Sequence, residues 1–196
     1  MNLYLKVFLH TGPPYGLTMG ALAGLFVGAT STLNEGVRVA LLVSILAGLL
    51  FGGASSLILV SIHRWKVKII ATTDSPVDLG VHHDASIELQ LPFDEAFDLC
   101  LESLRVIDAN KVRKEDRAHG MIEAKTSVNR KTFGDIVSLV VSKLDDYNAL
   151  VEVSSQPAVP TTLLDYGKNL GNVQQILRFL ESRSNKKTSE TADELK

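Results

Sequence analysis

Hydrophobic positions are distributed along this chain in two different ways. In the first third they come in unbroken blocks. No charged side chain occurs from Thr11 to Asn34, and Val39 to Ile62 is a run of 24 uncharged residues. At 1.5 Å per residue the second block makes a helix of about 36 Å, which crosses a hydrocarbon core of about 30 Å with some tilt. The first block, counted from Pro14 to Leu33, is also long enough, and "NEG" (34–36) joins the two. The pattern predicts a transmembrane helical hairpin over 13–62, with spans at about 14–33 and 37–62. Ahead of it, segment 1–12 is apolar with one lysine and one histidine, an interfacial piece that Pro13 and Pro14 turn inward.

Inside the first block, Gly16, Gly20, Gly24 and Gly28 recur every fourth residue. Such spacing builds a ridge along one side of a helix, drifting about 40° per step, and lets another helix approach closely. The second block has a matching series of small residues, Ala40, Ser44, Gly48, Gly52 and Ser56, with Gly53 widening the groove. Two ridges on consecutive antiparallel helices pack most simply on each other, while a ridge turned outward would face a second subunit.

Beyond residue 85 the pattern changes to short periods. "SIELQLP" (86–92) alternates as a strand, and "PFDEAFDLCLESLRVI" (92–107) has a helical stripe of Phe93, Phe97, Cys100, Leu101 and Leu104. Two strand pairs follow, turning at "RAHG" and at "DDYN", and a last helix places Val173, Ile176, Leu177 and Leu180 on one side. The order β-α-β-β-β-β-α predicts an α+β domain over 86–182, an antiparallel sheet with helices on one face. Segment 63–85 reads as a basic juxtamembrane stretch and linker, and 183–196 as a disordered tail.

Charge sharpens this division. Five of the 20 basic and one of the 22 acidic side chains precede residue 69, which leaves the first part at +4 and the remainder at −6. An acidic domain is unsuited to wrapping nucleic acid. Lys6, Arg64, Lys66 and Lys68 flank the outer ends of the hairpin, against Arg38 alone at its connection. That asymmetry predicts both termini and the domain in the cytoplasm, with Arg64, Trp65, Lys66 and Lys68 at the headgroup level. "HTGPPYG" interrupts the N-terminal apolar run, so the chain start is not read as a secretory signal.

Candidate chemistry is sparse. His82, His83 and Asp84 lack further ligands at metal-site spacing. Cys100, the one cysteine, lies on an apolar stripe and reads as a core thiol. "DYGKN" (165–169) lacks the first glycine and the Ser or Thr of a phosphate loop, so Asp165 or Asn169 reads as a helix cap and Gly167 as a turn. Asp145 and Asp146 are turn residues, and "NRK" (129–131) is a solvated loop. No catalytic residue, metal site or cofactor is expected.

The ending Val151-Glu152-Val153-Ser154-Ser155, then Asp165-Tyr166-Gly167-Lys168-Asn169 and Ile176, resembles the close of an uncharacterised bacterial domain family. That family ends with paired serines followed by an Asp-x-Gly-x-Asn segment. The resemblance covers about residues 86–182 and implies a bacterial source and a compact α+β domain. The expected role is a non-enzymatic accessory or interaction subunit of a bacterial inner-membrane complex. Its partners would be the lipid bilayer and a protein, or a second copy of this chain. The alternative is a membrane-tethered module binding an apolar or lipid-like ligand between sheet and last helix.

Overall fold

The computed structural model describes residues 1–71, 78–109, 111–128 and 133–194, with side chains of the last helix described as far as Lys186. The chain is α+β, two long helices followed by a five-stranded antiparallel sheet with its own helices. It divides into two compact units, Met1–Lys66 and Val67–Lys196.

In the first unit, α1 spans Leu3–Thr30 and α2 begins at Leu33 and runs to Ile70. Asn2 caps α1, its side chain accepting from the Tyr4 amide at 3.0 Å. The helix therefore starts ahead of the prolines and carries Pro13 and Pro14 within it, so 1–12 is no separate segment. The expected connection at 34–36 is likewise helical. Thr32 accepts from the Glu35 amide through its hydroxyl (3.3 Å) and from the Gly36 amide through its carbonyl (3.0 Å). This is the start signal of a helix with an acid in its first turn, and it moves the turn to Ser31–Thr32. The basic stretch 63–68 belongs to α2, not to a linker.

Gly12, Gly16, Gly20 and Gly24 face α2 in antiparallel order. A Cβ on Gly12 would meet the Gly48 carbonyl at 2.8 Å, and one on Gly24 would meet Ala40 Cβ at 2.6 Å and the Gly36 carbonyl at 2.8 Å. Gly16 and Gly20 are closer still to Ser44. Gly12 and Gly36 thus belong to the packed row, whereas Gly28 has room and Gly53 faces open space instead of widening the groove. Ser56 Oγ donates to the Tyr4 carbonyl at 2.6 Å, and Tyr15 stacks on Phe51 at 4.0 Å between ring centroids. Among the described residues one helix, α2, is long and apolar enough to cross a membrane, with mean hydropathy 2.2 over its best stretch. Five glycines, three threonines and two prolines dilute α1, and the expected two-span hairpin is corrected on this count.

The second unit contains β1 (His83–Leu89), α3 (Phe93–Ser103, continued by a 3-10 turn to Ile107), β2 (Lys111–Asp116), β3 (Met121–Lys125), β4 (Asp135–Lys143), β5 (Ala149–Pro157) and α4 (Lys168–Glu194). The strand order is β1-β5-β4-β3-β2, every pair antiparallel. From β1 the chain crosses by α3 to the far edge, then meanders back strand by strand to close against β1. β2, "KVRKED", is exposed and charged, which suits an edge strand because charge deters pairing with another chain. Gly120 (φ 66°) closes the β2–β3 turn, its carbonyl accepting from the Val141 amide at 2.8 Å. At the β4–β5 turn the Asp145 carboxylate accepts from the amides of Tyr147 (2.7 Å) and Asn148 (2.8 Å).

Alternation decides what is buried. Val137, Leu139 and Val141 of β4 and Val151 and Val153 of β5 face inward, while Ser138, Val140 and Glu152 face out. The helices cover the inner face with Phe97, Cys100 and Leu104, and with Val173, Ile176 and Leu180 of α4. α4 continues to Glu194, so the expected tail 183–196 is helix over most of its length.

Replacing Gly20 with leucine destabilises the paired helices by about 1–3 kcal/mol or more, because backbone and Ser44 leave the new side chain no space. Gly53→Leu stays within about 0.5 kcal/mol. Amide hydrogen exchange across residues 12–24 measures this: faster exchange is expected for the first variant and wild-type exchange for the second.

Candidate functional site

The inward stripes of four elements turn from apolar to polar at the same end of the sheet. On β4 the stripe reads Asp135, Val137, Leu139, Val141, and on β5 it reads Val151, Val153, Ser155. Along β3 it is Ile122, Ala124 and then Thr126, just past the strand end. On α4, Asn169 and Asn172 precede Val173, Ile176 and Leu180. Register brings these polar ends together, for Asp135 lies opposite Pro157 and Val137 opposite Ser155. Asp135, Ser155, Asn169 and Asn172 are all at most 1% exposed.

Hydrogen bonds link them into one buried network, as polar groups withdrawn from water require. The Asp135 amide donates to Thr126 Oγ1 at 2.8 Å. Its Oδ2 accepts from Thr126 Oγ1 and from Asn172 Nδ2, both at 3.3 Å. Asn172 Nδ2 also donates to Ser155 Oγ (3.1 Å), which donates to Asn169 Oδ1 (2.7 Å). Asn169 in turn donates to Asp165 Oδ2 through its side chain (2.9 Å) and its amide (2.8 Å). Asp165 Oδ1 accepts from the Gly167 amide at 3.0 Å, with Tyr166 and Gly167 both at positive φ (56° and 78°). Asp165 therefore caps the N-terminal end of α4, where a carboxylate is favoured by the helix dipole, and Asn169 ties that end to the sheet. Lys168 Nζ donates to Asn172 Oδ1 at 2.9 Å.

One atom is left over. Asp135 Oδ1 is buried without a hydrogen-bond partner among the described residues. Burial raises the Asp135 carboxyl above its ordinary value of 3.8, and the charge of Asp165 adds to the effect, while Asn172, Lys168 and Thr126 pull against it. Asp135 lines a pocket of about 170 Å³ together with Phe133, Gly134, Pro157, Val159, Thr162, Leu164 and Asp165. The walls are mostly apolar. The Thr162 hydroxyl is engaged with the Val159 carbonyl at 2.8 Å.

Of the residues singled out from the sequence, Asp165, read there as a helix cap, lines this pocket, and the helix-packing and membrane-interface residues do not. Gly16, Gly20, Gly24, Ala40, Ser44, Gly48 and Gly52 are brought together by helix packing, and Ser56 by its bond to Tyr4. Arg64, Trp65 and Lys68 lie exposed on the last turns of α2 and Lys66 is half-buried there, Arg64 hydrogen-bonding Tyr4. His82 and His83 diverge, His82 Nε2 meeting Ser154 Oγ and His83 Nε2 the Gly80 carbonyl, each at 2.9 Å. Burial pushes the Cys100 thiol up to about 12, and the side chain sits in the core. Residues 129–131 lie outside the described residues. What the sequence held, unread, was the shared switch from apolar to polar along four stripes.

No protein-family model matches the chain, and no curated protein does. Solved structures resemble part of it. The ZhuI aromatase/cyclase of Streptomyces sp. R1128 is 9% identical over 52% of this chain and 94% of its own, with TM-score 0.36. A Thermobifida fusca protein is 13% identical over 54% and 94%, with TM-score 0.41. BexL, a di-domain aromatase/cyclase of the BE-7585A biosynthetic pathway, is 16% identical over 54% and 43%, with TM-score 0.33. Likeness at this level transfers no activity. The structures that the chain resembles in part include aromatase/cyclases, where an accessory subunit was expected. The expectations of a non-enzyme, of an accessory subunit and of a two-span inner-membrane location are withdrawn, the last also because, among the described residues, only α2 is long and apolar enough to cross a membrane.

Because folding raises the Asp135 pKa, the fold favours its protonated form. The associated stability is present below the ordinary value of 3.8 and lost as pH rises through the elevated value. Asp135→Asn does not titrate, so it gains on the wild type as pH rises. Urea unfolding from about pH 3 to about pH 8 tests this. A difference that is flat with pH would contradict it.

Proposed function

We propose that the second unit is a binding domain for a small molecule held in the pocket between the start of β4, the end of β5 and the segment leading into α4. One observation carries this reading. A buried carboxylate oxygen lacks a partner in a residue that lines a mostly apolar pocket. Binding sites combine apolar walls with a few placed polar groups, and an unsatisfied buried acceptor costs about 1–3 kcal/mol until a donor arrives. The volume limits the ligand. A cavity of about 150 Å³ accommodates benzene, so about 170 Å³ suits a body of roughly six to eight heavy atoms. A lipid-sized ligand between sheet and α4 is not favoured, since Val173, Ile176 and Leu180 fill that space against Val151 and Val153.

A second reading has a specific observation behind it. A carboxyl shifted upward by burial beside a pocket is arranged as a general acid or base, and Asp135 would then exchange a proton with the bound molecule.

Titrating fragments of six to eight heavy atoms into the isotope-labelled full chain tests the binding function. Amides of Gly134, Val159 and Leu164 are expected to shift, and Leu164→Trp, which fills the pocket, is expected to abolish the shifts. A fragment set that leaves these amides unmoved at millimolar concentration would contradict the reading.

A further inference from the structure

Three features of the pocket bear on the chemistry of its occupant. The open acceptor is a carboxylate oxygen, so the ligand must bring a donor. Oδ2 of the same carboxylate receives two long bonds, from Thr126 and Asn172, so little of the negative charge is answered within the network. Among the described residues that line the pocket there is a second acid, Asp165, and no basic side chain. Lys168, the base whose charge bears on Asp135, is hydrogen-bonded to Asn172. Such a lining repels carboxylates and phosphates. A neutral alcohol would satisfy the hydrogen bond but leave the charge, whereas a cationic donor answers both.

The remaining walls set the other half of the molecule. Phe133, Pro157, Val159 and Leu164 offer apolar contact on several sides, within a volume that admits only a short body. We infer that the pocket binds a small organic ammonium ion, its nitrogen donating to Asp135 Oδ1 and its short branched or cyclic hydrocarbon packed against Phe133, Pro157, Val159 and Leu164. The inference rests on the binding function proposed above and names the class of ligand for the same pocket.

Three compounds of nearly equal size separate the possibilities: 3-methylbutylammonium, 3-methylbutan-1-ol and 4-methylpentanoate. Each is titrated at neutral pH into the full chain, with the Gly134, Val159 and Leu164 amides observed. The ammonium is expected to bind at least about tenfold more tightly than the alcohol, and the carboxylate not to bind. In Asp135→Asn the ammonium is expected to bind no more tightly than the alcohol, with an otherwise unchanged amide spectrum showing that the variant keeps its fold. Equal binding of ammonium and alcohol by the wild type would overturn the cation assignment and leave the pocket as a binding site. Absence of shifts with all three would overturn the pocket reading itself, and the cation assignment with it.

Discussion

A carboxylate cannot be placed inside an apolar core without donors, and much of the second unit's organisation follows from placing Asp135 there. The period-2 pattern of β4 fixes the position. If Val137, Leu139 and Val141 are to face the helices, Asp135 must face them too. The surrounding sequence is arranged around that consequence. Thr126 follows the last residue of β3, Ser155 ends the inner stripe of β5, and Asn169 and Asn172 stand in the first turns of α4. The network they form also fixes α4 against the sheet, since Asn169 joins Ser155 to the Asp165 cap. The one oxygen that it does not satisfy belongs to a residue that lines the pocket. Structure and proposed function therefore meet in the same carboxylate.

The helical unit depends on a different constraint, the distance of closest approach. Omitting side chains at Gly12, Gly16 and Gly24 lets the backbones of α1 and α2 touch, and the gain is dispersion between main-chain atoms. A helix with five glycines and two internal prolines would be poor in isolation, so α1 is held by this contact more than by its own propensity. The two units thus use opposite devices, one excluding polar side chains from an interface and the other gathering them into a network.

Elements were legible in the sequence where one period governs a stretch. The alternation of β4 and β5, the stripe of α3, and the turns at Gly120 and Asp145 follow from local pattern, as does the facing of Gly16, Gly20 and Gly24 with Ala40, Ser44 and Gly48. Boundaries were less legible. Pro13 and Pro14 signal a break that tertiary contact overrides, and the "TLNE" start of α2 was obscured by a glycine at 36 that serves close packing instead of a turn. The pocket was not legible at all, because it is a property of several stripes compared at once. Asn169 reads from the sequence as a candidate helix cap, and Asp135 and Asn172 carry no local signal of their own. Only the pairing of β4 with β5 and the docking of α4 show that these positions coincide.

The most direct test of the central claim is the titration of the Asp135 carboxyl itself, followed by the side-chain carbon shift in the full chain with and without 3-methylbutylammonium. The account predicts a midpoint above the ordinary 3.8 in the free protein, moved downward when the cation is present, since the ion stabilises the charged form. A midpoint at or below 3.8, or one that the cation leaves unmoved, would contradict it.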